Sequence, residues 1–266
     1  MNTLFCCYND EKQLNEYLLT SLKRIYGDKI AISDSFAVET CYVDKDIEVL
    51  CITIDNRKRR YSGCASAYED TVDRWKDIAG EIFYFVHQDI FFLSSAFFDE
   101  VQSILSKDKN IICGSAGMPE EGRTISNLRY LKDKSYITQT RVKKTCSVFS
   151  LDECCFALNR DLYFRTLFDT KTCNGWHLYA VDFCYNAMVK WNARSLVLQS
   201  SDEVCHKYDG TSGLYGDNQF LFTMIKMMWK YRKHVRKIYS PCLIVDISLV
   251  KGGLRIARSW VKNLLR

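Results

Sequence analysis

His87 and Asp89 stand two positions apart, just past Glu81-Ile82-Phe83-Tyr84-Phe85-Val86, whose apolar and aromatic residues suit a strand buried on both faces. In an open α/β sheet, ligands sit beyond the carboxyl ends of the strands. An imidazole and a carboxylate at that point can share one metal ion or one phosphate-bearing ligand. They fit equally well a strand-end turn with an ordinary solvated aspartate. Three further groups carry polar chemistry. The acid pair Asp152-Glu153 falls near the middle or at a bend of an extended stretch, Asp182 lies in a helical segment from Trp176 to Trp191, and His206 lies in the polar loop from Cys205 to Gly210.

The elements that must position these groups alternate strand with helix. Strands are expected at residues 3–7, 49–54, 82–86, 110–114, 147–151 and 195–199. Helices are expected at 11–26, up to about Ala79, and at 97–106, with an irregular excursion over 120–145. That order implies a mostly parallel central sheet flanked by helices. The chain has 266 residues, with 47% hydrophobic and 14% aromatic side chains, enough for a large core and incompatible with disorder. No apolar run reaches eighteen residues, and the first ten residues lack the basic region and cleavage site of a signal peptide. The thirteen cysteines include no Cys-x-x-Cys pair and fall largely in apolar runs, as expected of small buried hydrophobes in a reducing cytosol rather than of zinc ligands.

The net charge of +5 hides an asymmetry. Residues 226–266 hold eleven Lys or Arg against the single acid Asp246, while the first 225 residues hold 26 basic and 31 acidic side chains. Residues 1–217 are expected to form the main, mildly acidic domain and 218–266 a basic, amphipathic helical tail. In its last stretch Leu254, Ala257, Val261, Leu264 and Leu265, extended by Trp260, form one apolar sector. Lys251, Arg255, Arg258, Lys262 and Arg266 fall beside it. Such a helix suits the anionic cytoplasmic face of a membrane, and it also suits packing on the domain with a solvated basic edge. Nucleic acid is not the expected partner, because no readout module accompanies the charge.

Several separated motifs resemble one family, the glycosyltransferase-like proteins related to glycosyltransferase family two, with the GT-A nucleotide-sugar fold. They are Asp55-Asn56, Ser66-Ala67-Tyr68, Phe85-Val86-His87-Gln88-Asp89, Asp152-Glu153, Phe168-Asp169, Gly175-Trp176-His177-Leu178-Tyr179-Ala180-Val181-Asp182, and His206 with Gly210. The resemblance spans residues 3–215 and implies roles. Asp55, Asn56, Ser66, Tyr68, His87, Gln88 and Asp89 would bind the donor. His87-Gln88-Asp89 stands where the family has Asp-x-Asp, so Asp89 would hold the metal, and His206 matches a late metal-ligand histidine. Asp182 stands where inverting relatives have their catalytic base.

The implied activity is inverting, metal-dependent transfer of a sugar from a nucleotide-diphosphate donor to a hydroxyl of a surface or lipid-linked glycan, at the inner face of the cell membrane. Mixed oxygen and nitrogen ligation suits Mn²⁺ more than Mg²⁺. Asp152 and Glu153 could bind acceptor hydroxyls or donor sugar, or merely cap a strand. Trp176 and Tyr179 could stack on an acceptor or fill the core. His177 reads as a structural histidine, and Arg57–Arg60 as a solvated loop or a phosphate contact. The rival readings are a metal-independent transferase and a catalytically silent, membrane-attached nucleotide-sugar-binding subunit.

Overall fold

A computed structural model describes residues 1–41, 43–120, 122–207, 218–248, 251–253 and 256–257. The chain opens with β1 (Asn2–Tyr8), then a continuous helical stretch made of α1 (Glu11–Gln13), a π-helical segment (Leu14–Leu19) and α2 (Thr20–Tyr26). Next come β2 (Ile30–Asp34), β3 (Val49–Asp55), α3 (Cys64–Trp75), β4 (Ile82–Val86), β5 (Ile90–Phe92), α4 (Ala96–Leu105) and β6 (Ile111–Gly114). Short strands β7 (Ala116–Met118), β8 (Ile125–Ser126), β9 (Arg129–Tyr130), β10 (Cys146–Val148) and β11 (Ser150–Leu151) punctuate the irregular excursion. The remainder is β12 (Cys155–Asn159), α5 (Arg160–Thr166), α6 (Tyr179–Trp191), β13 (Arg194–Val197), β14 (Val204–His206), α7 (Asn218–Tyr231), β15 (Lys237–Tyr239) and β16 (Ile244–Asp246).

The main sheet has the order β10-β13-β6-β12-β4-β1-β3-β2. Strands β1, β2, β3, β4, β6 and β13 run parallel, and β12 and β10 run against them. Alternation along each strand feeds two cores. Phe5, Leu50, Ile52, Phe83 and Phe85 face α3, α5 and α6, while Leu4, Cys6, Cys51, Tyr84 and Val86 face the first helical stretch and α4. Both faces are helix-covered, which is why β3 and β4 read as unbroken apolar runs. All thirteen cysteines are free thiols, nine of them buried and shifted upward by burial where a shift is resolved, as packing residues would be.

The C-terminal segment does not hang off this body. Phe220, Leu221, Met224, Met227, Met228 and Tyr231 of α7 form a third core with Leu178, Val181 and Tyr185 from α6 and its approach. The amphipathic pattern expected over residues 250–266 lies almost entirely outside the described residues, as does Gly210.

Candidate active site

Antiparallel β12 sets the position of the site. Its pairing places Cys155 opposite Val86, so the turn Asp152–Cys154 meets the chain exactly where β4 ends, and the His87 amide donates to the Cys154 carbonyl at 2.9 Å. A small sheet does the rest. Strand β14 pairs antiparallel with β5, setting His206 opposite Ile90, and the Lys207 amide donates to the Asp89 carbonyl at 3.1 Å. Two segments more than a hundred residues apart are thereby held in register, and His206 Nε2 lies 3.2 Å from Asp89 Oδ2.

His87 completes the cluster: ligand atoms of His87, Asp89 and His206 all lie within 4.8 Å of one another. The residues fit a divalent cation, with two nitrogens and a carboxylate leaving positions for other oxygens. The protonation states divide: His87 and Asp89 stand in the form that ligates, whereas His206 holds its proton more tightly and releases it only to a cation. Burial depresses His87 and keeps it neutral. Burial would raise Asp89, but the His206 hydrogen bond and the histidine charges outweigh it and the carboxyl is held down. Burial would depress His206, but its bond to Asp89 and that carboxylate's charge prevail and raise it. The Tyr179 hydroxyl donates to the Glu153 carbonyl at 3.3 Å and lies 3.3 Å from His87 Nε2. In the tautomer whose Nε2 carries the imidazole hydrogen, that nitrogen donates to the Tyr179 hydroxyl and the Nδ1 lone pair is left for a cation.

The cluster opens into a cavity of about 790 Å³, in the size range of small-molecule sites. Asp152, Glu153, His177, Gln13 and Lys207 line it with the cluster, and Thr124, Ser126, Thr138 and Ser240 add hydroxyl-bearing residues to the lining. Among the described residues its carboxylates are Asp89, Asp152 and Glu153, against a single ammonium, Lys207. A diphosphate entering so acidic a space is repelled unless a cation sits between. Burial, with the charge of Asp152, raises Glu153 well above the ordinary carboxyl range. Its Oε2 lies 3.9 Å from His177 Nδ1.

Other expected contacts are placed differently. Asp182 is 1% exposed and does not line the cavity. Lys230 Nζ lies 2.9 and 2.8 Å from its two oxygens, and the Tyr231 hydroxyl donates to Oδ1 at 2.8 Å. The carboxylate expected to act as the base is thus engaged by Lys230 and Tyr231 and stands outside the cavity lining. Gln88 turns away: its Oε1 accepts the Asn9 and Asp10 amides at 2.9 and 3.0 Å and so fixes the loop after β1. Asn56 clasps Tyr61 through both amide and carbonyl. Asp55 pairs with Arg57 at 2.6 Å, and Ser66 bonds the Gly63 carbonyl. Tyr68 is wholly buried against Phe85, Phe168 and Tyr179. None of these five lines the cavity, nor does Trp176, and Tyr179 is a buried bracing group rather than a stacking platform.

Gln13 and Lys207 are cavity residues that the sequence did not mark, and His177, read there as a structural histidine, lines the cavity as well. The one local signal for His177 is its neighbour: Leu178 adopts a left-handed backbone (φ 67°) that breaks the chain's direction immediately before α6.

No family model and no curated protein matches the chain in sequence. In fold it is similar to GalNAc-T7 solved with UDP, GalNAc and Mn²⁺ (TM-score 0.55, 13% identity, 85% of this chain and 47% of that one). It is also similar to TarS of S. aureus in complex with UDP-GlcNAc (0.52, 13%, 99% and 72%). A third likeness is to the mannosyltransferase PcManGT of Pyrobaculum calidifontis with GDP-Man and Mn²⁺ (0.51, 12%, 88% and 64%). The chain thus spans about half the length of the first. Its fold is the GT-A fold of nucleotide-sugar glycosyltransferases.

Proposed function

We propose that the chain is a metal-dependent glycosyltransferase that takes a sugar from a nucleoside-diphosphate donor and passes it to an acceptor hydroxyl, with inversion. The observation that carries this reading is the His87–Asp89–His206 cluster within 4.8 Å, opening on an acidic cavity at the carboxyl end of a GT-A sheet. A divalent ion held there, Mn²⁺ more readily than Mg²⁺ given two nitrogen ligands, supplies positive charge against the departing diphosphate. Lys207 adds a fixed ammonium at the same wall.

Glu153, on the turn that meets the end of β4, is the group we assign to accept the proton of the attacking hydroxyl. Burial raises its affinity for protons, which strengthens it as a general base, and His177 lies beside it at 3.9 Å to orient the carboxylate. One proton acceptor without a protein nucleophile gives a single displacement and inversion. Asp152, at the same turn, is placed to bind sugar hydroxyls. The acceptor in this reading is a surface glycan or lipid-linked glycan met at the inner face of the membrane. Among the described residues no helix is long and apolar enough to cross a membrane.

The test is a thermal-shift panel of UDP- and GDP-sugars with Mn²⁺ and with EDTA. A matching donor at ~100 times its dissociation constant should add ~2.7 kcal/mol of stability, in Mn²⁺ only. Asp89→Ala should remove that increment. An equal shift in EDTA would establish a metal-independent enzyme, and no shift with any nucleotide sugar would end the donor-binding reading.

A further inference from the structure

Helix α7 is apolar on both sides, although only one side is packed. Phe220, Met224, Met227 and Tyr231 point into the third core. On the opposite face Phe222, Ile225 and Trp229, spaced i, i+3 and i+7, are 62%, 44% and 58% exposed. A surface helix ordinarily turns charge to solvent, and a helix apolar all round belongs in a core or against another apolar phase. Three large side chains in one row, each mostly or nearly half exposed, mark a contact surface.

The surroundings say what kind. Lys226 shares this face, and Arg232, Lys233 and Arg236 follow at the helix end, all exposed. The Arg232 guanidinium lies 3.8 Å from the centre of the Trp229 ring, so aromatic and cation form one amphipathic unit. No Asp or Glu occurs from Asn218 to Val245. Lys230 is the exception among the basic groups, turned inward to Asp169 and Asp182. A second copy docking on this row would bring like charges face to face, which argues against self-association. An apolar row with Trp and Phe, collared by cations, matches a bilayer interface carrying anionic headgroups, where rings reach the acyl boundary and cations stay among the phosphates.

We infer that the exposed face of α7, Phe222, Ile225 and Trp229 with Arg232, Lys233 and Arg236, is a docking surface for an anionic lipid bilayer. It deepens the reading of a transferase whose acceptor is met at a membrane. It also locates attachment on the folded domain itself, independent of residues 258–266. Because α7 packs on α6, whose approach carries His177 and Leu178 into the cavity wall, the bilayer contact and the site share one packed unit.

The test is cosedimentation of the full chain with phosphatidylcholine vesicles, either pure or containing about 30% phosphatidylglycerol. The comparison is with Phe222→Gln/Trp229→Gln and with Arg232→Gln/Lys233→Gln/Arg236→Gln. Oligomeric state and the donor-induced thermal shift are followed in parallel. The unaltered chain should bind the anionic vesicles and leave the neutral ones, and each variant should lose about tenfold in partitioning while keeping its donor shift. Absence of binding by the unaltered chain would overturn the inference. So would undiminished binding by both variants, which would place attachment elsewhere in the tail, or a dimer that dissolves in Phe222→Gln/Trp229→Gln. Vesicle binding that behaves as stated without any donor shift would leave the docking surface standing and remove the transferase.

Discussion

Glu153 and Asp182 are both carboxylates withdrawn from water, and their partners separate their roles. Glu153 lines the cavity beside His177, whereas Asp182 is enclosed by Lys230 and Tyr231. Glu153→Gln is therefore expected to cut turnover by about 10²–10⁴ while leaving the Mn²⁺-dependent donor shift intact. Asp182→Asn is expected to lower stability while turnover per folded molecule stays close to that of the parent. The opposite pattern in the two variants would return the base role to Asp182.

The pH dependence follows from the direction of the Glu153 shift. Its folded pKa is raised by burial, so the folded state holds this proton more tightly than the unfolded chain does. Its contribution to stability is then present at acid pH and lost as pH rises from the ordinary carboxyl value of 4.5 through the raised one. Turnover should rise over that same interval, because only the ionised form accepts a proton. Glu153→Gln should flatten the slope of melting temperature there, and an unchanged slope would assign the titration to another group.

At the scale of elements, Lys230 fastens α7 to the catalytic body. Its Nζ lies 2.8 Å from Asp182 and 2.9 Å from Asp169, joining one helix to both the start of α6 and the loop after α5. Asp182 is raised by burial even with Lys230 beside it. Burial also pushes Asp169 up, but the Thr172 amide and Lys230 outweigh it and bring it to about 2. Lys230→Met leaves a buried carboxylate without its cation, a loss of ~3–5 kcal/mol by analogy with other broken buried pairs. In that variant Asp182 rises further, so its folded state gains stability as the carboxyl protonates. The parent meanwhile loses the Asp169 contribution as pH falls from 3.8 towards 2. Denaturation curves of the two proteins should thus converge in acid and diverge towards neutrality; a gap independent of pH would point to lost packing alone.

This element also shows where reading a single sequence stops. The period-2 and continuous apolar runs announced β1, β3, β4 and β6, and the polar break after Val86 announced the site, because strand burial leaves a local trace. The proximity of Asp89 and His206 was reachable only through the family resemblance, since β14 pairs with β5 across a long excursion. Nothing local distinguishes Asp182 on a cavity wall from Asp182 sealed by a lysine 48 positions on, or tells that Gln88 turns to the Asn9 loop. Side-chain direction at a strand end is fixed by tertiary partners, and those were missing from the pattern.

Across the whole molecule, the question is whether residues 218–266 form a separable tail. The packing argues for one cooperative body. The Tyr239 amide donates to the Tyr185 hydroxyl at 2.8 Å, Ser150 Oγ donates to the Tyr239 carbonyl at 2.5 Å, and Thr124 Oγ1 donates to the Pro241 carbonyl at 2.9 Å. Ser240, Pro241 and Cys242 then form part of the cavity wall itself. Cutting the chain after residue 217 would strip Phe220, Leu221, Met224, Met227 and Met228 from Leu178, Val181 and Tyr185. At ~1.5–3 kcal/mol for each large buried side chain, that loss rivals the ~5–15 kcal/mol by which a domain is stable at all. It would also leave Asp182 buried without Lys230. The full chain is therefore expected to melt in a single transition, seen alike by circular dichroism and by donor release. Residues 1–217 alone should show no cooperative transition and no donor shift. If the shortened chain instead melts cooperatively and responds to donor and Mn²⁺ as the full one does, the C-terminal segment is an appendage, and Ser240–Cys242 take no part in the site.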